Sequence, residues 1–199
     1  MHAYQALSEL MHGNRRYVTE RYAYGDTGAD RRRELTRGHF PFAAIMSCSD
    51  SRVPPEIIFD QGLGDIFVVR TAGQVVDSIA LGSLEYAVKY LGVRLVAVLG
   101  HQDCGAVEAA VAGYPQPGQI QEVIDAIQPA VRAARTQCGN LLTNAIVNNV
   151  YLSINRLTTS PLLQQAISTA GLKSLVPCIV CKAAKCSFSK PRHFYLKAV

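Results

Sequence analysis

No acidic residue follows Asp125. All 15 Asp and Glu of the 199-residue chain lie at or before that position, and the stretch from Ala126 onward carries nine Lys and Arg. The formal net charge of +5 is therefore an average over an acidic body and a basic end. Such asymmetry marks a nucleic-acid or membrane-facing tail, or a tail foreign to its body. Long apolar runs are also absent. None approaches the ~20 residues of a membrane span, so no membrane partner is expected. The start, MHAYQALSEL, lacks the charged-then-apolar build of a signal peptide and points to the cytoplasm. There is no GxGxxG, and the lone glycine pair in GLG reads as a turn rather than a nucleotide cradle. Repeats and low-complexity tracts are missing too. The length fits one domain over 1–199, with a helical arm at 1–35 and an atypical tail at 178–199.

What is present reads as strand–helix alternation. Phe42–Met46, Ile66–Arg70 and Leu95–Leu99 are short runs rich in Val, Ile, Leu and Ala, which suit buried parallel strands. Helical spacing or composition covers Ala3–Arg21, Ser78–Tyr90, Ala106–Ala112, Ile120–Arg135 (interrupted at Pro129), Asn140–Arg156 and Pro161–Ala170. The RRRE run from Arg31 reads as a solvated helix face. The expected fold class is α/β: a mainly parallel sheet flanked by helices, with an N-terminal helical arm.

Six cysteines in a chain read as unexported should mostly be thiols, so ligand or buried roles outrank disulfides. Cys48 closes the first strand run, in FAAIMSCSDSR. His101 and Cys104, in HQDC, follow the third. In open α/β sheets ligands bind just beyond such strand ends. Two thiolates and one imidazole leave a fourth position open for water, the arrangement of a catalytic zinc, and that donor set favours zinc over hard cations. The residues alone also allow two buried cysteines beside a satisfied histidine. Asp50 and Arg52 leave the same strand end, two positions apart, as a functional pair or as a surface ion pair of little worth. Asp103 is expected to cap the helix after HQDC.

CSDSR followed about fifty residues later by HxxC resembles the β-class carbonic anhydrases, from about Leu10 to Val176. The resemblance implies one catalytic zinc per subunit on Cys48, His101 and Cys104, and reversible hydration of CO2 to bicarbonate and a proton by a zinc-bound hydroxide. It makes Asp50 a gate that either takes the fourth zinc position or pairs with Arg52 and frees it. Phe67 and Tyr86 match substrate-pocket positions, although either alone reads as core packing. His39 stands where many relatives carry glutamine, as a donor to bicarbonate or a proton carrier, or merely as a loop histidine. The resemblance further implies an obligate homodimer or dimer of dimers. The Ala3–Arg21 helix, with no obvious partner in one α/β layer, should wrap the neighbour.

Two rival functions stay open. A carbonyl sulfide or carbon disulfide hydrolase on the same scaffold would take equally small, linear, apolar substrates. Cys178, Cys181, Cys186 and His193 run C-x2-C-x4-C-x6-H, the spacing of a zinc knuckle on a basic tail, although nucleic acid is not the expected partner because the body lacks a basic stripe. After GLKSLVP the likeness stops: CIVCKAAKCSFSKPRHFYLKAV lacks the family's closing pattern. Its codons, read one base out of phase, permit Val-Tyr-Ser-Leu-Gln-Ser-Gly-Lys-Val-Phe, which fits that pattern. The expectation is a frameshift near Ser174 to Cys178, with a lost or weakened edge strand, poor packing beyond Cys181 and an accidental cysteine cluster.

Overall fold

A computed structural model of the chain describes residues 1–23, 25–169, 174–180 and 186–188, the last two stretches as paired backbone. The elements are α1 (Ala3–Val18), α2 (Ala29–Leu35), β1 (Ala43–Cys48), α3 (Pro55–Ile58), β2 (Ile66–Thr71), a 3-10 turn (Ala72–Gln74), α4 (Ser78–Tyr90), β3 (Leu95–His101), α5 (Gly105–Ala112), α6 (Ile120–Ala134), α7 (Leu141–Thr158), α8 (Pro161–Thr169), β4 (Ser174–Val180) and β5 (Cys186–Phe188). The five strands form one sheet in the order β2-β1-β3-β4-β5, parallel except for β5.

Every residue of β1 and β3 is buried, because helices cover both faces of the sheet. On one face Ile45, Leu95 and Leu99 pack with Leu10 of α1, Val107 of α5 and Ile127 of α6. On the other, Met46, Val96 and Val98 pack with Leu84 of α4, Ile154 and Leu157 of α7 and Leu163 of α8. From β1 the chain steps outward to β2, then returns across β1 to β3. That reversal opens a crevice between the carboxyl ends of β1 and β3, where open α/β sheets bind ligands. No described helix is long and apolar enough to cross a membrane.

Three expectations are corrected. α6 is not interrupted: it runs through Pro129. Burial of Ile124, Ile127, Ala130, Val131 and Ala134 along its inner face offsets the ~3 kcal/mol that an interior proline costs. α1 does have a partner inside the chain. Gly13 backs onto Phe59 so closely that a Cβ would stand 1.7 Å from its carbonyl oxygen. Asn14 Nδ2 donates to Ile58 O at 3.1 Å, and Arg16 Nε donates to the buried Asp60 carboxylate at 2.5 Å. The same carboxylate accepts the Ala23 N–H at 2.8 Å. Asp60→Ala, which leaves Arg16 Nε and that N–H without their acceptor, should cost about 2–3 kcal/mol in urea unfolding.

The closing strand, third, is not lost. Ser174–Val180 pairs with β3 from Leu95↔Ser174 to His101↔Val180, and β5 pairs with it from Cys178↔Phe188 to Val180↔Cys186. Backbone groups make such a ladder whatever the side chains, and Pro177, which has no N–H to give, falls just before the β5 pairing begins. Of the cysteine cluster, Cys178 lies in β4 and Cys186 in β5. Cys181 and His193 lie outside the described residues, as does most of the tail expected to pack poorly.

Candidate metal centre

β1 and β3 end side by side, with Ser47 in register with Leu99. Cys48 is the last residue of β1 and His101 the last of β3. The residue before His101 must be small: a Cβ on Gly100 would meet Val150 Cγ2 of α7 at 2.4 Å. Beyond His101 the chain turns back through Asp103, whose φ is 53°, and Cys104 opens α5. The N-cap of α5 is thus Cys104 itself, one residue later than expected. These turns bring the sulfurs of Cys48 and Cys104 and a ring nitrogen of His101 within 4.8 Å of one another, all in buried residues.

The three side chains fit a metal ion. His101 Nδ1 lies 3.0 Å from Gln102 O, a contact that places the proton on Nδ1. Nε2 is buried and has no hydrogen-bond partner among the described residues, an arrangement that costs free energy unless something accepts its lone pair. Burial alone would lower the His101 pKa, but contact with Cys48, then the charges of Cys48 and Asp50, carry it upward. The Cys48 thiol is held down to about 4, first by a hydrogen bond from Cys104 and then, against burial, by His101 and the N–H groups of Asp50 and Gly73. Cys104 is pushed upward because it donates to Cys48 and is itself buried. The proton of the Cys104 thiol thus lies between the two sulfurs. A dication displaces such a proton outright, and two sulfurs with one imidazole are the donor set of zinc.

Asp50 and Arg52 stand at the mouth of this group. Arg52 grips the carboxylate with Nε on Oδ1 at 2.9 Å and Nη2 on Oδ2 at 2.8 Å, and its own backbone N–H adds a third bond at 2.9 Å. These bonds hold the Asp50 carboxyl well below the usual carboxylate range. The same Nη2 donates to Asp103 O at 2.8 Å, so Arg52 ties the loop after β1 to the loop after β3.

Sequence reasoning missed Arg70. Its Nε donates to Cys48 O at 2.9 Å and its Nη2 to Asp50 O at 2.7 Å, a clamp on the backbone that carries Cys48 and Asp50. The available signal was an arginine ending an apolar strand run, IFVVR. The three proposed pocket residues are not gathered in the same way. Phe67 is in register with Ala44, four positions (~13 Å) back along the sheet from Thr71, the register partner of Cys48. It packs with the core on the α4 face. Tyr86 lies on α4, half exposed, its ring 5.2 Å from that of Tyr90. His39 is partly buried in the loop ahead of β1.

Comparison with known proteins gives the same picture over most of the chain. Residues 43–180 match the family model described as carbonic anhydrase. Carbonic anhydrase 2 of Mycobacterium tuberculosis is 50% identical over 137 residues, which are 67% of this chain and 65% of that protein. The carbonic anhydrase of Mycolicibacterium smegmatis is 44% identical over 134 residues, 65% of each chain. The chain thus spans 65% of the length of these curated relatives. Among solved structures, a tetrameric β-carbonic anhydrase of Sordaria macrospora superposes with a TM-score of 0.72 at 23% identity, over 79% of this chain and 84% of that one. The Coccomyxa β-carbonic anhydrase solved with acetazolamide gives 0.71 at 24% identity, over 92% and 85%. At such identities the structures speak for the fold, and the family model speaks for descent. With its strand-end cysteines and histidine inside the matched residues, the chain belongs to the β-class carbonic anhydrase family.

Proposed function

We propose that the protein catalyses the reversible hydration of CO2 to bicarbonate and a proton, with one zinc per subunit. The observation that carries this reading is the buried group of Cys48, Cys104 and His101, beside which Arg52 holds Asp50. The sulfurs of Cys48 and Cys104 and Nε2 of His101 would hold the ion. Zinc, when bound, lowers the pKa of its water from 15.7 toward ~7 and so supplies a nucleophile at neutral pH. The chain's own groups do the rest. Gln102 O fixes the His101 tautomer, and the Arg52 fork turns both Asp50 oxygens toward itself, which keeps the carboxylate off the fourth position. Ionised and anchored, Asp50 is the acceptor that orients the hydroxyl of an incoming water. With Arg52 released, in a closed state, Asp50 would itself join the residues that hold the ion. His39 serves as donor to bicarbonate or as carrier of the departing proton. CO2 is uncharged, so its pocket has to be apolar, and Phe67 and Tyr86 supply that surface.

Within one chain those two aromatics stand away from Cys48, and we assign them to the zinc of a second subunit. β2 is an edge strand with half-exposed residues from Phe67 to Thr71, and α4 presents Ile79, Tyr86 and Tyr90 to solvent. A homodimer, or a dimer of dimers, would cover this edge and stripe. Light scattering should find at least two copies, and Tyr86→Asp should shift the protein toward monomer with loss of activity; a fully active monomer would refute the assignment. The free thiols of Cys48, Cys104 and Cys138 suit the cytoplasm. Stopped-flow CO2 hydration with and without a chelator tests the function, beside a sulfide-release assay on carbonyl sulfide. Hydration lost after prolonged equilibration with the chelator is expected; sulfide release without hydration would move the chain to the hydrolase reading.

A further inference from the structure

α7 lies behind both ligand-bearing strand ends, and two of its buried polar side chains have no part in the chemistry above. Asn149 Nδ2 donates to Gly73 O at 2.8 Å. One turn on, Ser153 Oγ lies 3.0 Å from Gln74 O and 2.9 Å from Asn149 O, sharing its hydrogen between them. Both residues are buried. The two carbonyls held from outside the turn belong to the 3-10 turn after β2, which runs beside the first ligand. Thr71 is in register with Cys48, and its carbonyl accepts the Ser49 N–H at 3.0 Å.

This turn does not hold its shape unaided. Gly73 has φ 60° and Gln74 φ 45°, both in the left-handed region, and for the glutamine that is costly. Gly73 has no room for a side chain either: a Cβ would meet Ile127 Cδ1 at 2.8 Å and Ala106 Cβ at 3.2 Å. Between the two polar residues on the same helix, Val150 presses on Gly100, next to His101. One face of α7 therefore backs both the turn beside Cys48 and the strand end that bears His101. The Gly73 N–H faces the Cys48 sulfur, two residues beyond the Thr71 that pairs with Cys48 in the sheet.

Building on the metal reading above, we propose that Asn149, supported by Ser153, is a positioning residue of the metal centre. By gripping the Gly73 carbonyl, while Ser153 grips that of Gln74, it keeps the Gly73 N–H on the Cys48 sulfur and so sets the strength and direction of that sulfur as a metal ligand. Such an outer partner tunes a site without touching the ion.

Zinc affinity, measured by competition with a chromophoric chelator at fixed pH, and the thiolate-to-metal absorption of the Co2+-loaded chain test this without reference to turnover. Asn149→Ala should weaken zinc by roughly 10–100-fold and shift the cobalt band. Asn149→Asp, whose carboxylate cannot donate, should do the same, and Ser153→Ala should act in the same direction with smaller effect. Ile154→Val, a core truncation on the same helix, should keep the parent affinity and band. A folded Asn149→Ala with parent affinity and band overturns the proposal, as does an equal loss in Ile154→Val. If Asn149→Ala does not fold, Ser153→Ala decides, and parent values there overturn it. A parent chain that takes up neither metal refutes the metal reading and this one with it. A parent that binds both, beside variants that bind them equally, refutes only the positioning role.

Discussion

Cys48→Ala and His101→Ala should yield folded protein without zinc and with CO2 hydration at the rate of buffer alone. Loss of an outer-shell partner costs roughly 10–100-fold in metal affinity, and removal of a direct ligand has to exceed that. The fold should survive, because Cys48 is one small member of a core that Ile45, Leu99, Val107 and Ile127 fill around it, and His101 lies outside that apolar cluster. Cys138→Ala supplies the control: its cysteine is free but exposed, away from the buried group. Metal content by elemental analysis decides the matter, and parent-level zinc in Cys48→Ala would end the metal reading. The sign of the pH dependence follows from the two thiols. Both must lose their protons to bind zinc, and Cys104 is the one held upward by its neighbour and by burial. Affinity should therefore fall as the solution is acidified, by about tenfold for each proton and pH unit in the competition.

Arg52→Ala should separate metal from activity. The variant keeps all three proposed ligands and should retain zinc, yet Asp50 loses two of its three donors and becomes free to compete for the fourth position. A loss of about 10^2–10^3 in kcat is the scale set by removal of one preorganised hydrogen-bond donor from an active site. Arg52→Lys should rescue little, since a point charge cannot reproduce the two-pronged grip. Asp50→Asn should also be impaired, for want of an anionic acceptor and with zinc still bound. Arg52 depresses the Asp50 pKa, so the pair is fully formed above the ordinary carboxylate range and is lost only as pH falls well below it. Any activity titration between about pH 6 and 9 must then belong to another group. Parent kcat in Arg52→Ala would remove the gate from the mechanism.

The parts of the site that a sequence could show are those carried by chain direction. Cys48 and His101 end apolar runs, and strand ends at a topological switch converge wherever the strand order reverses, so composition and spacing sufficed to bring the two together. Asp50 and Arg52 follow from alternation along the chain after Cys48. What stayed hidden was carried by contacts between distant segments. Arg70 holds the backbone around Cys48 from the neighbouring strand, and Asn149 reaches Gly73 across 76 residues. Neither pairing has a local pattern. α1 misled for the same reason, because its attachment rests on a bare Gly13 and on Asp60, a residue with no helix or strand of its own. The strand at Ser174–Val180 was masked by side chains that do not alternate, while its pairing is made by backbone.

The crevice between β1 and β3 also decides how such an ion could leave. In a knuckle built on one short loop, local fraying is enough to free the metal. Here Cys48 and His101 terminate adjacent strands joined only through the β2–α4 crossover, and both strands are buried from end to end. Separating the ligands means parting the middle of the sheet, an opening as rare as global unfolding. Spontaneous escape of the ion should consequently track the unfolding rate of the chain, and a chelator added in excess would wait on the protein rather than hasten it.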